Sequence, residues 1–251
     1  KEDYGAGIYN QLRKLGTSVD WDRACFTLDP KMKRAVEEAF VRLHEDGTIY
    51  RSNRLVNWSC TLKSAISDIE VDKVELSGRT LMAVPGYSEK IEFGVLVSFA
   101  YKVENSNDEI VVATTRIETM LGDTAVAVHP EALRYKKYHG KFVIHPFRLD
   151  EDGKPIRLPI VCDDFVERDF GTGAVKITPA HDFNDFEVGM RHKLELINIF
   201  DKYGKLNEFT PSDYKGLDKL EARKKILEAL DKEELLEKKE KYKYTIPYGD
   251  R

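Results

Sequence analysis

The sequence predicts an α+β protein, and three patterns carry that reading. Residues 30–45 repeat apolar side chains at helix spacing, residues 71–103 are rich in Val, Phe, Tyr and Leu with a second β-rich run at 109–115, and from residue 124 short strand patterns alternate with helix patterns. The 251 residues, 41% of them hydrophobic, are enough for a substantial core. With 40 Lys and Arg against 44 Asp and Glu, the net charge is only -4. No global field attracts nucleic acid, so any RNA contact has to be local.

Taken in order, residues 8–15 read as a first helix. The second follows Asp29-Pro30, where Met32, Ala35, Val36, Ala39, Phe40 and Leu43 share one face and Gly47 stops the pattern. Asp29 is expected as its N-cap and Pro30 as its first residue, where a missing N–H costs nothing. Residues 54–69 are mixed. Residues 71–103 read as strands and a hairpin turning at Pro85-Gly86. The polar loop Glu104–Asp108 joins β-rich runs at 93–103 and 109–115 into an antiparallel pair. A polar loop at Thr114–Thr119 leads to a strand at 124–128 and a short helix from Pro130 to near Gly140. Then come a strand at 175–178, a helix at 182–192, a strand at 196–200, an amphipathic helix at 217–236 and a basic, extended tail. A soft boundary near Asp72 separates a helical flanking segment, residues 1–72, from a main domain, residues 73–251.

The longest apolar run, near 93–100, is too short to cross a bilayer, and the first residues carry no signal-peptide pattern. Cys25, Cys60 and Cys162 are scattered and form no CxxC pair, which argues against a disulfide framework or zinc ribbon. A reducing, cytoplasmic location and no membrane partner are expected.

The chemistry concentrates in Gly171–Asp185, which reads GTGAVKITPAHDFND. Its glycines precede a strand, whereas dinucleotide and phosphate loops place theirs between a strand and a helix start, so a nucleotide cofactor is excluded and a turn with positive φ is expected. Strand alternation puts Val175 and Ile177 on one face and Lys176 and Thr178 on the other, which for an isolated strand would meet water. His181, Asp182 and Asp185 have spacing compatible with metal ligands or an acid/base pair. Equally, Asp182 is an ordinary N-cap favoured by the helix dipole, with His181 orienting it. Asp185, a first-turn carboxylate beside a polar strand end, is well placed to hold an ammonium group. Thr114, Thr115, Arg116, Glu118 and Thr119 end another β-run and form a second polar cluster. There is no Gly-x-Ser-x-Gly elbow and no cysteine in a nucleophile signature, so covalent catalysis has no candidate. The run Lys238–Tyr244 mixes cations and aromatics, which fits either an RNA contact or solvated surface.

Two of these stretches, Ala113–Asp123 (ATTRIETMLGD) and Gly171–Asp185, together resemble the editing domain of the valyl-tRNA synthetases. Leu15–Trp21 and Val56–Glu70 resemble the segment leading into it, so the likeness covers nearly the whole chain. It implies a barrel-like mixed sheet with peripheral helices, and hydrolysis of threonine esterified to the valine tRNA. The synthetic-site motifs His-x-Gly-His and Lys-Met-Ser-Lys-Ser are absent, so amino-acid activation is not expected of this stretch. An apolar synthetic pocket rejects an isosteric hydroxyl only weakly, a limit for which valyl enzymes facing threonine are the standing example, and a second site that rewards the hydroxyl is the remedy.

By that resemblance Asp185 pairs with the substrate α-ammonium, while Lys176, Thr178 and Arg116 shape the pocket for the threonyl side chain and terminal adenosine. Thr114, Thr115, Glu118, Thr119, His181 and Asp182 line it. No metal and no cofactor are implied. The partners are the tRNA(Val) acceptor end and the rest of the synthetase. Leucyl and isoleucyl editing domains share the Thr-rich and Gly-Thr-Gly frames, and Lys176 with Thr178 favours the valyl type. Ile117 departs from the Pro found in many relatives. A non-catalytic module that holds the acceptor end is the rival reading.

Overall fold

In the computed structural model, residues 2–84 and 87–248 are described. The expected Pro85-Gly86 turn lies outside them. The chain forms two compact units that divide between Arg54 and Leu55.

The first unit is helical. Helix α1 (Glu2–Lys14) starts earlier than its apolar pattern did, and α2 (Pro30–Glu45) matches the expected span, with Asp29 as N-cap residue. The Asp29 carboxylate accepts from the Phe26 N–H at 2.9 Å, fixing the turn into the helix. Between the helices, Trp21 packs edge-on against Tyr9 and beneath the Arg13 guanidinium.

The second unit begins with short strands β1 (Asn57–Ser59), β2 (Ser64–Ile66), β3 (Asp72–Leu76), β4 (Thr80–Met82) and β5 (Ile91–Phe93). Its centre is a seven-stranded sheet built from β6 (Val95–Val103), β7 (Glu109–Thr114), β8 (Ala125–Val128), β9 (Phe142–Leu149), β10 (Pro155–Cys162), β11 (Ala174–Ile177) and, near the end of the chain, β12 (Leu236–Lys241). Helices α3 (Phe183–His192) and α4 (Lys219–Lys232) lie between β11 and β12, and β13 (Tyr244–Tyr248) closes the described chain. Asp72, the expected boundary, opens a strand of this unit, because β3 pairs with β13 along its whole length.

The sheet order is β11-β8-β10-β9-β6-β12, with β7 on β6. Only β8 and β10 run parallel, and β11 comes back close to β7, so the sheet is mixed and curls nearly into a barrel. The expected β6–β7 antiparallel pair is present, with Val97 opposite Thr114. The β9–β10 pair was not expected; Pro146, Pro155 and Pro159 remove ladder donors there, and a register shift between Pro155 and Arg157 absorbs the irregularity. The helix expected after Pro130 is a 3-10 turn, Leu133–Tyr138. The strand expected at 196–200 is reduced to one bridge, Phe200 to Leu206.

Two apolar clusters fill the unit. The larger includes Phe99, Tyr101, Ile110, Met120, Leu121, Ile226 and Leu230, and so packs α4 against the sheet. The smaller joins Ala125, Ala127 and Ile177 to Val188 of α3. It fixes the start of α3 beside the end of β11. Among the described residues no helix is long and apolar enough to cross a membrane.

Candidate functional site

At the end of β11 the strand alternation is as expected, but the polar face does not meet water. Ile177 enters the small core, with Val175 packed against that core, while Lys176 and Thr178 are 6% and 1% exposed. A buried ammonium needs a counter-charge. Asp123 supplies it from just before β8, the strand that pairs with β11, at 3.0 Å from Lys176 Nζ. Lys176 also donates to Thr119 Oγ1 at 3.1 Å and to Thr178 Oγ1, and Thr178 Oγ1 donates to Asp123. All three ammonium protons are therefore engaged within the protein. The other Asp123 oxygen accepts from the Tyr101 hydroxyl at 2.7 Å. Burial pushes the Asp123 carboxyl up, against the pull of Lys176 and the two hydroxyls.

Beside this network lies Asp185 in the first turn of α3, 7% exposed. Its Oδ2 accepts from the Thr178 N–H at 2.8 Å, and among the described residues no basic side chain forms an ion pair with it. Burial pushes its carboxyl up to about 7, against the opposing influence of Lys176 and the Thr178 N–H. Asp182 is the N-cap, accepting from the N–H groups of Asn184 and Asp185 at 2.9 and 3.2 Å. The cap sets the direction of the helix start and so of Asp185.

His181 does not turn toward Asp182. Its Nε2 accepts from the Ile199 N–H at 3.1 Å, and burial, aided by Arg116 and Lys176, pushes the ring down to about 3. It is a neutral anchor. Arg116 crosses between the two polar clusters, donating to the His181 carbonyl at 2.8 Å. Thr114 Oγ1 accepts from the Arg116 N–H at 3.0 Å and shapes the bend that leaves β7. The Gly171 and Gly173 turn has φ of 55° and 63°, as expected, and a side chain on Gly173 would strike Arg134 and the Arg168 carbonyl.

A cavity of about 270 Å³ opens where these pieces converge. Thr114, Thr115, Arg116, Thr119, Lys176, Thr178, His181, Asp182 and Asp185 all line it, with Leu96, Phe165 and Asn184 added by the fold. Glu118 does not. It is buried behind the 3-10 turn Ile117–Gly122 in a bidentate pair with Arg223 of α4, 2.9 Å for each contact. Burial alone would raise its carboxyl, but the Arg223 guanidinium holds it below the ordinary range. A larger cavity of about 460 Å³ lies toward β5 and α4 and takes only Thr115 from the expected set. Asp123 was missed by sequence reasoning. The available signal was Lys176 itself, a cation on a strand otherwise fit for the core, which demands a carboxylate on a neighbouring strand. Among the described residues no group of three or more His, Cys, Asp or Glu side chains is arranged to hold a metal ion.

The class of the chain is given by its sequence: the family model of class I tRNA synthetases (I, L, M and V) matches residues 1–245, and the chain is a member of that family. Within it, the resemblance to the valyl enzymes holds along the whole sequence. The human valine–tRNA ligase is 63% identical over 253 residues, covering 100% of this chain and 20% of that protein. The Caenorhabditis elegans valine–tRNA ligase is 60% identical over 251 residues, 100% of this chain and 23% of that protein. The chain thus spans about a fifth of the length of the curated relatives it matches. Among solved structures, the LeuRS-tRNA-LeuAMS ternary complex of Agrobacterium radiobacter K84 overlays with a TM-score of 0.44 at 18% identity, over 98% of this chain and 36% of that one.

Proposed function

We propose that this stretch of a valyl-tRNA synthetase hydrolyses the ester of threonine wrongly attached to tRNA(Val). The observation that carries the reading is Asp185, a buried carboxylate with no ion-pair partner among the described residues, in a cavity of about 270 Å³ lined by threonine hydroxyls. Such a group is costly unless a cation arrives to neutralise it, and an aminoacyl ester brings its own ammonium. Binding that ammonium returns Asp185 to the ionised form.

The hydroxyls give the selectivity. Thr178 Oγ1 donates to Asp123 and accepts from Lys176, and Thr119 Oγ1 donates to the Arg116 carbonyl and accepts from Lys176. Each keeps one lone pair for a substrate hydroxyl, so threonine gains a hydrogen bond that valine cannot make, worth about 1 kcal/mol or more. Hydrolysis itself asks the protein for orientation: the ammonium is held at one end, the terminal adenosine near Arg116 at the other, and water attacks the ester carbonyl between them. The acceptor end of tRNA(Val) and the remainder of the synthetase are the partners this reading requires.

The test is deacylation by the full-length synthetase of tRNA charged with Thr, Val, Ile or Met, with wild type and Asp185→Ala compared. Rapid hydrolysis of the Thr ester, lost in the variant, is expected. Preference for Ile or Met esters would point to a leucyl-type site. Binding of a non-hydrolysable threonyl-adenosine analogue without any deacylation would leave a holding module.

A further inference from the structure

Asp123 does not line the cavity, yet it is fully buried and one of its carboxylate oxygens is bound by two residues that do, Lys176 and Thr178. One oxygen takes both Lys176 and Thr178, the other is held by Tyr101, and the Asp123 carbonyl accepts from Arg148 at 3.0 Å. Thr178 touches both carboxylates of the site, Asp123 through its hydroxyl and Asp185 through its N–H. Lys176 therefore donates to the same Thr178 whose N–H holds Asp185, while its ion pair among the described residues is with Asp123. Were it to pair with Asp185 instead, the site would neutralise itself and have nothing left for a substrate ammonium.

We propose that Asp123 is a positioning residue that holds Lys176 away from Asp185, keeping Asp185 uncompensated for the incoming ammonium and the free lone pairs of Thr119 and Thr178 turned toward the substrate hydroxyl. The inference rests on the editing reading above and adds to it a residue that acts only through Lys176 and Thr178. The charged and titratable groups around Asp185 are Lys176 from β11, Asp182 at the cap of α3, Asp123 just before β8, and Arg116 and His181, which also line the cavity. Of these, Lys176 is the cation that loses its ion-pair partner when Asp123 loses its charge.

The test uses the full-length synthetase and deacylation of Thr-tRNA(Val) as a function of pH. Asp123→Asn keeps the shape and removes the charge. KM is expected to rise about tenfold or more as Lys176 turns to Asp185, the order of one charge-assisted contact. The acid limb of the KM profile moves to lower pH, because a cation beside Asp185 favours its ionised form. Adding Lys176→Gln to that variant recovers most of the KM loss, since the competing cation is gone, but leaves discrimination between Thr and Val esters weakened. A purely structural Asp123 would give a second mutation no power to rescue and would not move the acid limb. Should Asp123→Asn fail to fold, the double variant, which removes the Lys176 charge together with that of its partner, still decides: KM no better than tenfold above wild type overturns the proposal. Wild-type enzyme that leaves Thr-tRNA(Val) intact sinks the editing reading itself, whereas active wild type with an Asp123→Asn variant unchanged in KM and pH profile sinks only this inference.

Discussion

On one side of the 3-10 turn Ile117–Gly122, Glu118 is 2% exposed and meets Arg223 in two contacts of 2.9 Å; on the other side, past Thr119, Asp185 is 7% exposed and meets one backbone N–H. The two carboxylates are about equally dry, and burial acts on both in the same direction. Their outcomes diverge because α4 carries a guanidinium to the first and nothing comparable reaches the second: Glu118 is held low and Asp185 is pushed up to about 7. A closed pair holds structure together. An open carboxylate makes the fold less stable and makes it receptive to a cation.

Several substitutions would break or sharpen that contrast. The largest effect is expected on the closed side, where Glu118→Gln strands the Arg223 guanidinium, itself 21% exposed, and should cost about 3–5 kcal/mol in denaturant unfolding. A loss below about 1 kcal/mol would mean that the pair is not structural.

On the open side the sign reverses. The folded-state value for Asp185 is about 7, above the ordinary value of 3.8, so its ionisation costs stability progressively as pH rises from about 4 to about 7 and fully above that. Asp185→Asn should therefore stabilise the protein in thermal unfolding at pH 8 by up to about 4 kcal/mol relative to its effect at pH 4. A pH-independent difference would contradict a buried, uncompensated acid.

The third effect is functional. Asp185→Ala should slow deacylation of Thr-tRNA(Val) by the full-length enzyme about a hundredfold, the order of a lost charge-assisted contact, while Glu118→Gln, assayed at a temperature where it stays folded, should slow it far less. Equal losses would erase the contrast between the two sides.

The smallest effect is expected at the mouth of the cavity. The Arg116 side chain is 48% exposed and bridges to the His181 carbonyl, so Arg116→Ala should cost at most about 1 kcal/mol in unfolding and show itself mainly as a raised KM for aminoacyl-tRNA.

Much of the site was legible in the sequence because its residues come in two short runs whose local rules are strong. Strand alternation placed Lys176 and Thr178 together, the Asp182 cap oriented α3, and glycines at 171 and 173 fixed the turn. Glu118 misled because a polar residue in a polar cluster says nothing about which side of a tight turn it takes. Its partner Arg223 is 105 residues away, on a helix whose docking follows from Ala222, Ile226 and Leu230 entering the main core. The β9–β10 pair was hidden by its prolines, which weaken the strand pattern locally while pairing along the rest of the ladder compensates.

The sequence by itself determined the α+β class, the order of most elements, the family, and which side chains could form a polar site. The class, the element order and the polar runs follow from periodicity, capping and turn chemistry, all of which act over a few residues, and the family from the resemblance of two short motifs. Only the tertiary structure decided which charges cancel. Ion pairing depends on distances across strands and helices: β8 against β11 gives Lys176 to Asp123, α4 against the 3-10 turn gives Arg223 to Glu118, and what the packing leaves over is Asp185.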